Sequence, residues 1–491
     1  MRFVMSPRFP TPLLCALLLA CAGACLAVSS QSLWVDEAQT ALKAAPETLH
    51  GWWHSLDSEG NSNMQLPLYM LYIWGWARLF GVSEFALRAA NIPWFILGLL
   101  AIVHFLRGHR ALRNATLLLY SLHPFVWYYL SEARPYIMQL SGALIVSGAL
   151  FVALDEPEQP LPGSWWWGFG AGLFILCGSG ILGVPWAIGV ILLLFFCPGF
   201  RRSITGSGLP ALALFLPLLT VLAFYFAWTI EKNVGACPIS MTLPSMLSVF
   251  YEQLGFLGLG PGRLDLRANS VAATRPFLLP LALLGIPLGL GLILAARRRF
   301  GLSGKRVLSI LVLTAGPILL IFALGFLRDT RILARHLTPL FPFILLAQAF
   351  AVLLLWNSGR LLGRLVACLI VIALACSSIE IRFDPRHARD DYRDAAAAAR
   401  EALARGKTVW WSADIDAGVY YHLPLDPGER PGAARQLYGV PAHFAAPPDE
   451  IFVSRADVLD PVATVPAFVA ARHYRQVAAW QGITLWQKPS S

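Results

Sequence analysis

The chain has 491 residues, 57% of them hydrophobic and only 13% charged, with a formal net charge of +10. That balance excludes an ordinary soluble domain, which carries about a quarter of its residues as charges. It also excludes nucleic acid as a partner, because Lys and Arg sit mainly in short connectors between apolar runs rather than in one basic stripe.

The fold class expected is a polytopic α-helical membrane protein: at 1.5 Å rise per residue, a run of about 18 or more apolar residues crosses a hydrocarbon core of about 30 Å. Arg2 and Arg8 precede the first such run, at 12–28. It has the form of a signal peptide but is expected to stay as an uncleaved first span with a cytoplasmic N-terminus. Just beyond it come Leu33-Trp34-Val35-Asp36-Glu37-Ala38, two adjacent acids at the membrane edge. A carboxylate beside a span is usually a solvated end residue, and a catalytic reading depends on what the remaining loops bring to the same face.

Residues 44–64 are polar but carry Trp52, Trp53 and His54, which suits an interfacial helix. Gln65-Leu66-Pro67-Leu68-Tyr69 opens an apolar segment through Phe80 that is short for a span and is expected to be juxtamembrane or re-entrant. Further spans are expected at 84–106, 115–130, 137–154, 165–177, 181–197, 209–230, 276–296, 307–327, 337–356 and 361–379, about eleven in all. Arg107, Arg110, Arg113, Arg201, Arg202, Arg297, Arg298, Arg299, Arg360 and Arg364 then mark the cytoplasmic connectors. Four polar segments fall on the opposite side: the acidic loop 30–64, the cluster Ser131-Glu132-Ala133-Arg134-Pro135-Tyr136, the long connector 231–275, and a basic loop from Arg328 to His336. The long connector carries Tyr251, Glu252, Arg263, Asp265 and Arg267. Arginines on the translocated side run against the topogenic trend, and an anionic lipid headgroup gives them a purpose; the plain alternative is a snorkelling cluster on ordinary phospholipid. Of eight cysteines only Cys237 lies in a polar loop, so neither a disulfide framework nor zinc spacing is present. Beyond Ile381 charge, Pro and Gly rise, and residues 381–491 are expected to form a small external α/β domain with a helix at 390–405 and strands at 408–412, 450–454 and 483–487.

In order and in sidedness these pieces resemble the GT-C glycosyltransferases that use polyprenyl-phosphate sugars, specifically the family 39 and ArnT-like group related to protein O-mannosyltransferases. The likeness covers about residues 11–380, within residues 1–380 read as the transmembrane domain. It rests on the Asp36-Glu37 motif, on Gln65 to Tyr69 with Leu79-Phe80-Gly81 and Glu84 to Arg88, on Tyr129 to Tyr136, and on Ala334-Arg335-His336-Leu337. What the resemblance implies is an inverting, membrane-embedded transferase. It would move a hexosyl or pentosyl group from a polyprenyl-phosphate donor to a hydroxyl of a cell-envelope lipid such as lipopolysaccharide, a glycan or a protein, at the external face of a bacterial inner membrane. Asp36 would be the general base and Glu37 its support. Glu132 would bind a divalent metal or fix Arg134, with Tyr136 beside them. Arg331, Arg335 and His336 would hold the donor phosphate, and Gln65, Tyr69 and Arg88 would contact donor or acceptor. One departure stands out: members of the group usually have His or Lys followed by two prolines where this chain has Gln65-Leu66-Pro67. The competing class is a lipid or glycan transporter or flippase, whose charges line a path across the bilayer.

Overall fold

The structure is a computed structural model that describes residues 13–58, 62–232, 241–298, 304–428, 430–454, 460 and 462–489. Arg2, Arg8, Cys237 and Arg299 lie outside the described residues, as does the side chain of Arg267.

Among the described residues, seven helices are long and apolar enough to cross a membrane: Glu84–Phe105, Tyr136–Asp155, Leu209–Glu231, Ser270–Arg297, Ile310–Leu327, Ala334–Trp356 and Leu361–Phe383. The other four apolar runs fold as shorter pieces. The first forms the 15-residue helix Leu13–Ala27, and the run at 165–177 forms the 16-residue helix Gly163–Gly178. The run at 115–130 is divided into Arg110–Leu122 and Pro124–Leu130. Its cause is Pro124: a residue before proline is pushed into extended backbone, and His123 is extended, with its Nδ1 accepting the Phe125 N–H at 3.2 Å. The run at 181–197 bends by 99° between Ile181–Leu194 and Pro198–Ile204, again with an extended residue, Cys197, before the proline. Counting that bent pair as one span gives eight. The segment from Gln65 to Phe80 is one helix, Pro67–Phe80, of 14 residues, which at 1.5 Å per residue is about 21 Å long.

Chain contacts divide the molecule into two compact units. The first comprises residues 1–29, 53–76 and 88–387 and holds all seven long helices apart from the first four residues of Glu84–Phe105. Without water to drive apolar surfaces together, helices in lipid rely on close packing through small residues. Here Tyr136–Asp155 packs against Gly163–Gly178. A Cβ on Gly142 would lie 2.6 Å from the backbone nitrogen of Leu176, and one on Gly172 would lie 2.6 Å from Cγ2 of Ile145.

The second unit comprises residues 30–52, 77–87 and 388–491, so the acidic segment after the first apolar run packs with the C-terminal residues. Its sheet has six strands: β1 (Val409–Ser412), β2 (Leu425–Asp426), β3 (Ala434–Gln436), β4 (Glu450–Ser454), β5 (Arg475–Trp480) and β6 (Ile483–Gln487), in the order β2-β3-β1-β4-β6-β5. β2, β3, β1 and β4 pair in parallel, β6 pairs antiparallel with β4, and β5 pairs antiparallel with β6 and so runs with the first four. β1, β4 and β6 answer the expected strands. β2 and β3 are too short to carry a period-two signal, and β5 carries Arg475 and Gln476 on an exposed edge where apolar alternation fades. Trp410, Ile451, Val465, Val469 and Tyr474 make up a core cluster of this unit. The helix Tyr392–Ala404 starts where the Asp391 carboxylate accepts the Asp394 N–H at 3.3 Å, and it buries Ala395, Ala396, Ala399 and Ala402. That spacing is one face of a 3.6-residue period.

Candidate active site

The sequence-selected residues fall into two constellations, one in each unit.

In the second unit, Trp34 is the N-cap of the helix Val35–Ala44, which places Asp36 and Glu37 in its first turn. Unsatisfied N–H groups and the helix dipole favour ionised carboxylates there. Glu37 is fully buried, and its Oε2 reaches back to the Trp34 N–H at 3.5 Å while its own N–H donates to the Trp34 carbonyl at 2.9 Å. Asp36 is half-buried. The two adjacent acids therefore differ in setting: Glu37 is folded into the cap, and Asp36 keeps exposed surface. At the other end of this helix, Arg78 Nη2 donates to the carbonyls of Ala44 at 3.3 Å and Ala45 at 2.7 Å.

In the first unit, the loop that follows the helix Pro124–Leu130 carries Glu132 and Arg134. Fully buried Asn91 fixes it: its Nδ2 donates to the carbonyls of Tyr129, Leu130 and Glu132 at 3.3, 3.2 and 2.6 Å. Arg134 donates to Asn63 Oδ1 at 2.5 Å. Glu132 is fully buried with its Oε1 4.0 Å from Nη1 of Arg335, and the Arg335 guanidinium lies 5.8 Å from the centroid of the Tyr136 ring. Glu132, Tyr136 and Arg335, some 200 residues apart in sequence, thus meet.

Tyr128, Tyr129, Glu252, Arg263 and Arg335 line a narrow cleft with Leu257 and Leu333. Tyr129 donates to Glu252 Oε2 at 3.3 Å, and Arg263 donates to the Tyr128 hydroxyl and lies over that ring. Burial pushes the Glu252 carboxyl above the usual carboxylate range, while Arg263 beside it and the Tyr129 hydrogen bond pull it back. The 3₁₀ turn Ala334–Leu340 that carries Arg335 is held by Gln253 Nε2, which donates to the carbonyls of Ala334 at 3.2 Å and Leu337 at 2.8 Å. The cleft brings the guanidinium groups of Arg263 and Arg335 together beside the Glu252 carboxyl.

The remaining candidates sit as follows. His336 accepts the Leu333 N–H at 3.2 Å through Nδ1, inside its own turn, and Arg331 is half-buried just before that turn. Gln65 ends the 3₁₀ turn Ser62–Gln65 and is half-buried, and Tyr69 is fully buried in the next helix. Arg88 is fully buried and donates to the carbonyl and hydroxyl of Ser29 at 3.1 and 3.3 Å, and the Ser29 hydroxyl meets that of Ser131 at 3.0 Å. Arg88 therefore braces the Glu132 loop through Ser29. Among the described residues no three His, Cys, Asp or Glu side chains are grouped as a metal centre requires; Glu132 stands beside an arginine. Tyr128, Tyr129, Glu252, Arg263 and Asn91 join this constellation beyond the site residues expected from the sequence. The only signal for Glu252 and Arg263 was their presence in a long connector on the face expected to be external.

No protein-family model and no curated protein matches the sequence. The structure is similar to that of ArnT from Cupriavidus metallidurans bound to undecaprenyl phosphate, with a TM-score of 0.53, 12% identity, and 97% of this chain and 98% of that one covered. It is similar to the apo state of the same protein with a TM-score of 0.54, 12% identity, and coverage of 96% and 97%. The chain thus shares the fold of that protein over nearly its whole length, with seven helices among the described residues long and apolar enough to cross a membrane and a sheet region toward the C-terminus.

Proposed function

We propose that this chain is an integral-membrane glycosyltransferase that moves a sugar from a polyprenyl-phosphate donor to an acceptor hydroxyl on the external face of the membrane. The observation that carries the reading is the fold shared with ArnT across nearly the whole chain; of the two structures compared, one holds undecaprenyl phosphate. The acceptor is a hydroxyl of an envelope lipid, a glycan or a protein.

The chemistry asks little of the protein. Polyprenyl phosphate is a competent leaving group, so what remains is to orient the acceptor, take its proton and stabilise the phosphate charge. The acceptor oxygen attacks the anomeric carbon from the face opposite the phosphate. Asp36 takes the hydroxyl proton, and the bond from the anomeric carbon to the phosphate oxygen breaks with its electron pair on the phosphate. The outcome is inversion and release of polyprenyl phosphate. Arg335 holds the departing phosphate, since a planar guanidinium grips two oxygens at once, and the half-buried setting of Arg335 in a cleft shared with Arg263 supports this role. Glu37 sets the helix start on which Asp36 stands.

The test is to incubate the purified protein with a polyprenyl-phosphate sugar and a mixture of envelope acceptors and to follow free polyprenyl phosphate. Release that depends on acceptor and is lost in Asp36→Asn supports the reading. Passage of intact lipid-linked sugar across a vesicle bilayer with no release rejects it and leaves a flippase.

A further inference from the structure

The residues that secure the start of the Asp36 helix come from the far end of the chain. Tyr421, which follows the short helix Ile415–Tyr420 of the C-terminal sheet region, accepts the buried Leu33 N–H through its hydroxyl at 2.7 Å. The same hydroxyl accepts from Ser32 Oγ at 3.2 Å and donates to Glu84 Oε1 at 3.2 Å. A phenol has one proton and two lone pairs, so these three bonds use its whole capacity. Burial pushes the Tyr421 pKa up to about 12, which keeps the proton on the oxygen at neutral pH. Arg393, in the helix Tyr392–Ala404, continues the network: its backbone N–H donates to Ser32 Oγ at 3.1 Å, and its Nη1 donates to the Ser30 carbonyl at 3.2 Å and to Glu84 Oε1 at 3.3 Å. The Arg389 guanidinium lies 5.9 Å from the ring centroid of Trp34, the N-cap itself. Segment 30–34 thus enters its helix through backbone groups fixed by side chains more than 350 positions away.

We propose that Tyr421 and Arg393 are positioning residues for Asp36, so that the C-terminal unit sets the place of the reacting acid instead of serving only as a module for recognition. This rests on the reading of Asp36 as the general base. The anchored atoms lie two to six residues before Asp36 and lead into its helix without a flexible break. A carboxylate at the first turn moves with the helix start, and a misplacement of about 1 Å at a reacting group costs on the order of 100-fold in rate.

The experiment uses the full-length protein and five variants: Tyr421→Phe, which keeps the ring and removes the hydroxyl, Arg393→Ala, Asp36→Glu, the double variant Asp36→Glu with Tyr421→Phe, and Asp36→Asn as the control for the base itself. Turnover, KM for the donor, melting temperature and amide hydrogen exchange over residues 30–44 are read for each. The expected result is that Tyr421→Phe lowers kcat by about 10- to 100-fold, with donor KM within about two-fold and the fold retained. Exchange of the Leu33 amide should quicken. Because Asp36→Glu already displaces the carboxylate, adding Tyr421→Phe should cost much less than it does alone, a coupling that independent damage to folding does not produce. Arg393→Ala should repeat the pattern more weakly, since its side chain is half exposed. Wild-type kcat in Tyr421→Phe despite a quickened Leu33 amide overturns the inference. So does a loss in the double variant equal to the product of the two single losses. If instead Asp36→Asn keeps full turnover, the base assignment itself has failed, and that outcome is separable because it does not involve Tyr421.

Discussion

At the scale of single residues, the adjacent acids Asp36 and Glu37 are separated by burial. On the proposed reading a base must reach its acceptor; Asp36 is half-buried and keeps exposed surface, whereas Glu37 is enclosed and turned back on Trp34. Asp36→Asn should therefore lower turnover by about 100- to 10,000-fold, the usual range for loss of a general base, with expression and melting unchanged. Glu37→Gln should keep a measurable rate and lower the melting temperature instead. Near-normal turnover in Asp36→Asn with loss in Glu37→Gln would exchange the two roles. Arg335→Lys should weaken donor use, because a point charge replaces a bidentate fork, and Arg335→Ala more so. If phosphate charge develops as the sugar bond breaks, both should lower kcat as well as raise donor KM; Gln65→Ala should do less. Steady-state transfer with varied donor decides it, and unchanged kinetics in Arg335→Ala would remove Arg335 from the phosphate site.

At the scale of elements, contact between Tyr136–Asp155 and Gly163–Gly178 depends on backbone approach at Gly142. A methyl group there meets the Leu176 backbone at 2.6 Å and 2.9 Å, and backbone cannot rotate away as a side chain can. Gly142→Ala should cost about 1–3 kcal/mol as overpacking does, read as a lower melting temperature in detergent. Gly75, in the helix Pro67–Phe80, has open space where a Cβ would stand, with nothing within 4 Å. Gly75→Ala should be neutral or gain about 0.5–1 kcal/mol from helix propensity, and equal effects at the two positions would refute the packing argument. Just after the helix Leu361–Phe383, burial and the neighbouring Arg386 push the His387 pKa down to about 4, although Asp384 and Asp265 pull the other way. Its Nε2 lies 3.0 Å from the Arg386 Nε donor, which favours a neutral ring, and 3.2 Å from the Gly258 carbonyl, which works against the downward shift. The unfolded imidazole titrates near 6.5. Between pH 6.5 and about 4 the unfolded chain therefore binds the extra proton, and stability present above pH 6.5 is lost as pH falls through that window. Melting temperature followed from pH 7 to 4 should drop, and His387→Gln should flatten the part of the drop due to this group.

At the scale of the whole molecule, the arginine-rich connectors at 107–113 and 297–306 predict, by the positive-inside rule, a cytoplasmic N-terminus and an external C-terminus. A reporter fused after Ser491 should be active only in its external form, and cytoplasmic activity would mean that the spans pair differently across the membrane. The short helices make this a real test. Leu13–Ala27, Gly163–Gly178 and the pieces flanking Pro124 and Pro198 fall below the length of a full span, so sidedness depends on which of them cross.

The sequence by itself determined what depends on composition and local chemistry. Long apolar runs are expected as helices, and the rise in charge, Pro and Gly beyond Ile381 marks off a segment of another kind; that the chain breaks at Pro124 and Pro198 while Pro217, Pro287 and Pro317 stand inside continuous helices was decided by the fold. Order along the chain, through short motifs around Asp36, Glu132 and Arg335, was enough to point to the fold that the structure shares with ArnT at 12% identity. Only the tertiary structure decided which residues meet. Arg335 stands beside Glu132 and Tyr136, Arg263 beside Tyr128, and Glu252 beside Tyr129, pairings that no local spacing encodes because they join elements more than 120 positions apart. The acidic segment 30–52 likewise belongs with residues 388–491: the Leu33 N–H is buried before its helix begins, and its partner is the Tyr421 hydroxyl. A buried donor must find an acceptor, but the sequence states only that need, and the fold chooses what meets it.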